Sequence, residues 1–215
     1  MKLFVLNRQN SIANQYLKEL RDVTDQADRM RFRKNLERLG EVMAYEVSKN
    51  LIYKKTTVTT PLGKSQSYVL QEQPVLATLL RAGLPYFQGF LNFFDQADCG
   101  FIGAYRKESG EDLTINLEYL AAPELSGKQL ILIDPMLATG KSFVKALHAL
   151  LKNGTPAHVH LVALVAAPEG LKFVQESVTV PASLYVCALD ENLNDQFYIV
   201  PGLGDAGDLS FGEKQ

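Results

Sequence analysis

The sequence predicts an α/β fold: a doubly wound, mostly parallel sheet with N-terminal helices, a β-arm and a C-terminal segment that stands outside the sheet as a hood. Three observations predict it. The runs Pro74 to Leu80, Leu130 to Ile133, Val159 to Ala166 and Leu184 to Leu189 are apolar almost throughout. Such strands need cover on both faces, as parallel strands have. Helical patterns separate them, and strand–helix alternation is the pattern of a sheet wound by crossovers. With 215 residues, 47% of them hydrophobic, the chain is long enough to bury a substantial core as one domain, 1–215, with an appendage.

Taken in order, residues 1–10 read as an extended arm. Ser11 to Asn50 is helical, broken near Asp22–Thr24, and Phe32, Leu36, Leu39, Val42, Met43 and Val47 recur at helical spacing as one apolar face. Arg29, Arg31, Arg33, Lys34 and Arg38 lie among them, either as a solvated face or as an effector or subunit contact. Residues 51–70 are rich in Thr, Val and Tyr around Pro61-Leu62-Gly63-Lys64, which predicts a β-arm. The strand from Pro74 ends at Arg81-Ala82-Gly83, and a helix follows from Leu84 to Phe94 with Phe87, Phe90 and Phe94 as core. Cys99 to Tyr105 is a strand that ends at Arg106. Lys107 to Asp112, charged and containing Gly110, reads as a mobile loop, and Thr114 to Leu120 as a further strand. After the Leu130 strand a helix runs from Phe143 to Lys152 and stops at Asn153-Gly154. Pro168-Glu169-Gly170 opens another helix, to about Glu176. From Asp190 the composition turns to Asn, Asp, Gly and Pro, so 190–215 is the hood.

Bulk properties exclude several function classes. A formal net charge of −2 gives no bulk attraction to nucleic acid. Cys99 and Cys187 lack metal-ligand spacing and read as buried free thiols of a reducing cytosol. Met1 to Asn10 is too short and polar for a signal peptide, and no apolar run is long enough to cross a bilayer, so the expected location is cytoplasmic and away from membranes.

The chemistry centres on Leu130 to Ser142. Four branched apolar residues run into Asp134, then Pro135-Met136-Leu137-Ala138-Thr139-Gly140-Lys141-Ser142 leads into a helix. Open α/β sheets bind ligands at the carboxyl ends of their strands. A helix start offers unpaired N–H groups and a dipole that favours an anion. Thr139 and Ser142 add hydroxyls, and Gly140 permits a left-handed turn. The loop reads as a phosphate cradle with an acid beside it. Gly140-Lys141-Ser142 matches the end of a P-loop, but the glycine that pattern needs earlier falls on Pro135, which has no N–H to offer. Arg81, Arg106 and Asp134 each end an apolar strand, so they converge on one crevice, and arginine forks suit pyrophosphate oxygens. Tyr198 to Asp208, dense in glycine, reads either as an ordinary exposed turn or as a lid whose main chain reads a small flat ligand.

Asp-Pro-Met-Leu-Ala-Thr-Gly at 134–140 resembles the type I phosphoribosyltransferases and, within them, the uracil phosphoribosyltransferases. Leu80 to Leu84, Tyr105-Arg106, Val165 to Gly170 and Pro201 to Asp208 resemble further motifs of that family in order and spacing. The resemblance implies transfer of ribose 5-phosphate from 5-phospho-α-D-ribose 1-diphosphate (PRPP) to uracil, giving UMP and diphosphate, with Mg²⁺ carried mainly by PRPP and no metal ligand assigned in the chain. It implies Asp134, Arg106 and Asp205 as catalytic. Arg81, Arg106, Asp134, Pro135, Met136, Leu137, Ala138, Thr139, Gly140, Lys141, Ser142 and Asp205 would hold PRPP. Ile199, Gly204, Asp205 and Ala206 would hold uracil. It also implies a homodimer or larger homo-oligomer and, in some members, activation by GTP. Lys141 stands where the family more often carries a second glycine. Two other readings stay open beside it: a nucleotide-sensing protein that kept the fold without turnover, and a P-loop phosphotransferase.

Overall fold

The computed structural model describes the backbone of residues 1–109 and 112–213, and the side chains of these except 104–117. The central sheet has the order β1 (Lys2–Val5), β10 (Ala182–Leu189), β9 (His158–Ala166), β7 (Gln129–Ile133), β4 (Val75–Leu80), β5 (Cys99–Ser109), β6 (Asp112–Ala121). Every pairing is parallel except β5 with β6. The carboxyl ends of β4, β5, β7 and β9 therefore share one edge.

The apolar runs are buried because alternate residues feed opposite layers. Ile131 and Ile133 pack with Phe32, Leu36, Leu39 and Met43 of α2 (Arg29–Ser48) and with Tyr86, Phe87 and Phe90 of α3 (Gly83–Leu91). Leu130 and Leu132 pack on the other side with Phe143, Val144, Leu147 and Leu150 of α4 (Lys141–Leu150) and Val174 of α5 (Pro168–Ser177). The sheet is thus covered on both faces, as its composition requires. α1 (Ile12–Arg21) starts at Ser11, whose side chain accepts from the Ala13 N–H, and α2 starts at Asp28, which accepts from the Arg31 N–H. β2 (Tyr53–Thr60) and β3 (Gly63–Leu70) pair only with each other and form the expected arm, with Leu62 fully exposed at its tip.

Some local expectations differ from the structure. The N-terminal arm is an edge strand: Lys2 to Val5 pair in register with Ser183 to Val186. A four-residue strand is too short to show a period. Lys107 to Ser109 and Asp112 continue β5 and β6 as a ribbon, where a mobile loop was expected; Gly110 and Glu111 lie outside the described residues. Charged residues suit a ribbon that lies past the sheet, so composition alone could not separate ribbon from loop. Cys187 is buried as expected, and burial pushes its thiol up to about 12, whereas Cys99 is half-buried. Among the described residues no helix is long and apolar enough to cross a membrane.

Candidate active site

Asp134 follows β7 directly and is largely buried. Its N–H donates to the Val162 carbonyl (3.1 Å), and its Oδ1 accepts from the Met136 N–H (3.3 Å). Thr78 of β4, fully buried, donates its hydroxyl to the Ile133 carbonyl (3.1 Å), which ties the end of β4 to the residue before Asp134. The first half of the loop then extends the sheet. The Pro135 carbonyl accepts from Leu164 and Val165 N–H (3.0 Å each), and β8 (Met136–Leu137) pairs with Val165 and Ala166. The Leu137 and Ala138 side chains are buried.

Past Leu137 the chain leaves the sheet and turns at Thr139 and Gly140 into α4. Gly140 is the N-cap of α4 with φ +78°, a conformation that suits glycine. The Lys141 N–H donates to Thr139 Oγ1 (3.4 Å), and the Val144 N–H to the Gly140 carbonyl (3.1 Å). α5 presses on this turn from behind: a Cβ at Gly170 would collide with the Ala138 carbonyl oxygen. Thr139 and Ser142 are half-buried and Lys141 is exposed. The two half-buried hydroxyls thus lie beside the unpaired N–H groups at the start of a ten-residue helix, a geometry that favours an anion.

Arg81 follows β4 across a cis Leu80–Arg81 peptide. Its Nη2 donates to Asp208 Oδ1 and to the Gly212 carbonyl (3.1 Å each). Arg81 is therefore engaged with the hood, a contact the sequence reading did not anticipate. Arg106 lies in β5 opposite Ile115, three positions past Gly103, the last β5 residue paired with β4. It thus belongs to the ribbon and does not end the strand.

The hood contains β11 (Asn192–Leu193), β12 (Ile199–Val200) and α6 (Ala206–Phe211). At one end the Asp190 N–H donates to the carbonyl of Ala166 (2.8 Å), the last residue of β9, and the Leu193 N–H to Oε1 of Glu169 (3.0 Å) in the first turn of α5. At the other end Asp208 meets Arg81, just past β4. Since β7 lies between β9 and β4, the hood arches across the strand end that carries Asp134. Asp205 caps α6, its Oδ1 accepting from the Gly207 and Asp208 N–H groups (2.8 and 2.9 Å). Asp205 and Asp208 also line a cleft of about 870 Å³, together with Arg29 and Arg33 of α2. Gly204 is exposed, while Ile199, Gly202, Leu203 and Ala206 are buried, so the Tyr198–Asp208 stretch is not an ordinary exposed turn.

The arginine-rich face is used inside the chain. Arg31 binds Glu19 through Nε and Nη2 (2.9 and 2.8 Å), Arg33 donates to the Ser210 carbonyl (2.8 Å), and Arg38 lies over the Tyr16 ring. Sequence reasoning also missed Thr78 and gave no role to Gly170. A threonine within an apolar strand, and a glycine in the first turn of a helix where Ala would be better, are weak signals of close approach.

An acid at the end of a parallel strand, a Thr-Gly-x-Ser turn opening a helix, and a separate C-terminal hood across the strand ends are the architecture of a type I phosphoribosyltransferase. The family model described as uracil phosphoribosyltransferase matches residues 8–213, and the chain belongs to that family. It is 46% identical over 215 residues to the uracil phosphoribosyltransferase of Porphyromonas gingivalis, covering 100% of both chains. It is 36% identical over 200 residues to that of Pyrococcus furiosus, covering 92% of this chain and 84% of the relative. The solved AQ2163 protein from Aquifex aeolicus superposes with a TM-score of 0.87 at 35% identity over 98% of each chain.

Proposed function

We propose that this chain is a uracil phosphoribosyltransferase, transferring the 5-phosphoribosyl group of PRPP to N1 of uracil and releasing diphosphate. The bond from ribose C1 to the diphosphate oxygen breaks, the C1–N1 bond forms, and the uracil N1 proton is lost. The observation that carries this reading, beside family membership, is the hood's arch from the end of β9 to the end of β4 over Asp134. It supports a base held above a ribose phosphate, with the two reacting atoms between hood and loop.

In this reading the N–H groups and hydroxyls of 138–142 cradle the 5′-phosphate, with Pro135 to Leu137 as the strand extension that sets the turn. Asp134 meets the ribose hydroxyls. Arg81 and Arg106 take the diphosphate side, and Arg81 exchanges its hood contacts for substrate oxygens. The main chain of Ile199 and of Gly204 to Ala206 reads uracil, and Asp205 also reaches the PRPP side. Positive charge develops on the ribose as C1–O breaks, and preorganised acceptors beside it lower the barrier.

Among the described residues no group of three or more His, Cys, Asp or Glu is gathered for a metal. Single carboxylates, Asp134 and Asp205, suit a Mg²⁺ that arrives on PRPP and keeps most of its waters. When bound, that ion neutralises the departing diphosphate. We also read 1–215 as one domain of a cytoplasmic homodimer or larger homo-oligomer, and GTP as an effector to be tested by adding it to the assay below.

The test is incubation with PRPP, Mg²⁺ and a panel of bases, followed by identification of the nucleotide formed. UMP from uracil, and no nucleotide from cytosine, adenine or hypoxanthine, is expected. A nucleotide from another base with none from uracil overturns the reading. PRPP binding without release of diphosphate favours a sensing protein instead.

A further inference from the structure

Asp190 follows β10 with its side chain only 4% exposed. A carboxylate this buried needs a charged partner. Arg21, at the end of α1, supplies it across 169 residues of sequence: Nη1 donates to Oδ2 (2.9 Å) and Nη2 to Oδ1 (2.6 Å). The pair reaches beyond itself. Arg21 Nη1 also donates to the Gly202 carbonyl (3.0 Å), and the Gly202 N–H donates to Asp190 Oδ2 (2.9 Å). Both polar groups of the Gly202 backbone are thus held by the two side chains. The next carbonyl, Leu203, accepts from Gln26 Nε2 (3.3 Å), whose other partner is the Leu20 carbonyl of α1 (2.9 Å).

Between β12 and α6, residues 201–205 have no regular structure to hold them. Gly202 and Gly204 take φ +60° and +90°, and a Cβ at Gly202 would collide with the Ile199 carbonyl oxygen. β11 holds Ile199 and Val200, and the path on from there through Gly202 and Leu203 is set by side chains of α1, the turn after it and the end of β10. We infer that Arg21, Asp190 and Gln26 are positioning residues that fix the main-chain groups reading the base, and so set base selectivity. The inference rests on the proposed role of residues 199–206.

The physical reason is that main-chain readout depends on placement. A site built on hydrogen bonds to a base edge rejects a mismatched base by about 10⁴-fold, and a displacement of about 1 Å can cost about 10²-fold in rate. Arg21→Lys keeps the charge that Asp190 needs but loses the fork, and with it the reach to Gly202. Gln26→Met keeps shape, touches no charge and removes the bond to Leu203.

The test is steady-state kinetics of the full chain with uracil and with cytosine, at varied PRPP. For Arg21→Lys, kcat/KM for uracil should fall about 10- to 100-fold. The uracil-to-cytosine ratio should fall by at least about tenfold, and the KM for PRPP should stay within about threefold. Gln26→Met should show the same pattern at about two- to fivefold, and guards against a folding defect in the first variant. Equal losses towards PRPP and uracil, or an unchanged uracil-to-cytosine ratio in Gln26→Met, would overturn the inference. If wild type makes no UMP, the uracil reading itself fails and the inference falls with it. If wild type makes UMP and the ratio does not move, only the positioning role fails.

Discussion

Residues 134–142 and residues 199–206 face the same end of the sheet but are held in opposite ways. The first stretch is held by backbone. Pro135 and Leu137 bond β9, Gly140 opens α4, and the hydroxyl of Thr139 caps its own turn. The second is held by side chains from elsewhere: Asp190, Arg21 and Gln26 fasten Gly202 and Leu203. A dianion can be bound by any helix start with spare N–H groups, so a local turn suffices. A flat base distinguished by donor and acceptor order needs groups at set positions, and those require a tertiary frame.

The largest effect expected from testing this contrast is at Ile199. Its side chain is 5% exposed and sits in the core, so Ile199→Ala should cost about 2–5 kcal/mol of stability, read as a lowered unfolding midpoint. On the proposed reading of the base by main chain held at Gly202, the uracil-to-cytosine ratio of the folded enzyme should survive. Its collapse would mean that the side chain itself selects the base.

Thr139→Val probes the other stretch. A lost bond to a charged phosphate should weaken PRPP binding by about 1.5–3 kcal/mol and leave base preference unchanged. Isothermal titration with PRPP checks this; unaltered affinity in a folded variant would remove Thr139 from the cradle. Gly170→Ala tests whether the turn depends on its support. The added methyl meets the Ala138 carbonyl, and overpacking of this kind costs about 1–3 kcal/mol. The expected signature is a raised KM for PRPP with the base ratio intact. A change in base ratio would show that the two stretches are coupled.

An acid titration reports on the frame. Hydrogen bonds from Arg31, then Gln15 and Asn35, hold the Glu19 carboxyl down at about 2, from an ordinary value of 4.5. A depressed folded value means that the stabilisation is present above 4.5 and lost as pH falls from there towards 2. Glu19 joins α1, which carries Arg21, to α2. Glu19→Gln should flatten the acid limb of the melting temperature over that window. An unchanged limb would show that the α1–α2 contact does not depend on this charge. The smallest effect is expected at Lys141, exposed beside the turn. Lys141→Gly should stay active, with a weaker salt dependence of PRPP binding. An inactive protein would give the lysine a direct role.

How much of this was readable beforehand follows the same division. The apolar runs from Val75, Leu130, Val159 and Leu184 determined the parallel sheet, because continuous branched residues demand cover on both faces. Asp134 to Ser142 were legible as one unit because their partners are near in sequence or are the next strand. The arm at 51–70 was legible from its turn and its β-forming residues. The edge strand at Lys2 to Val5 and the β5–β6 ribbon were not, since their pairing is decided by partners that composition does not name.

Tertiary structure alone decided that the arginine face of α2 binds Glu19 and the hood, that Arg81 meets Asp208, and that Arg21 reaches Asp190 and Gly202. Periodicity and local turn chemistry are written in neighbouring residues and can be read from them. The partner of a buried charge is chosen by which surfaces the folded sheet and helices bring together, across 169 positions in the case of Arg21 and Asp190.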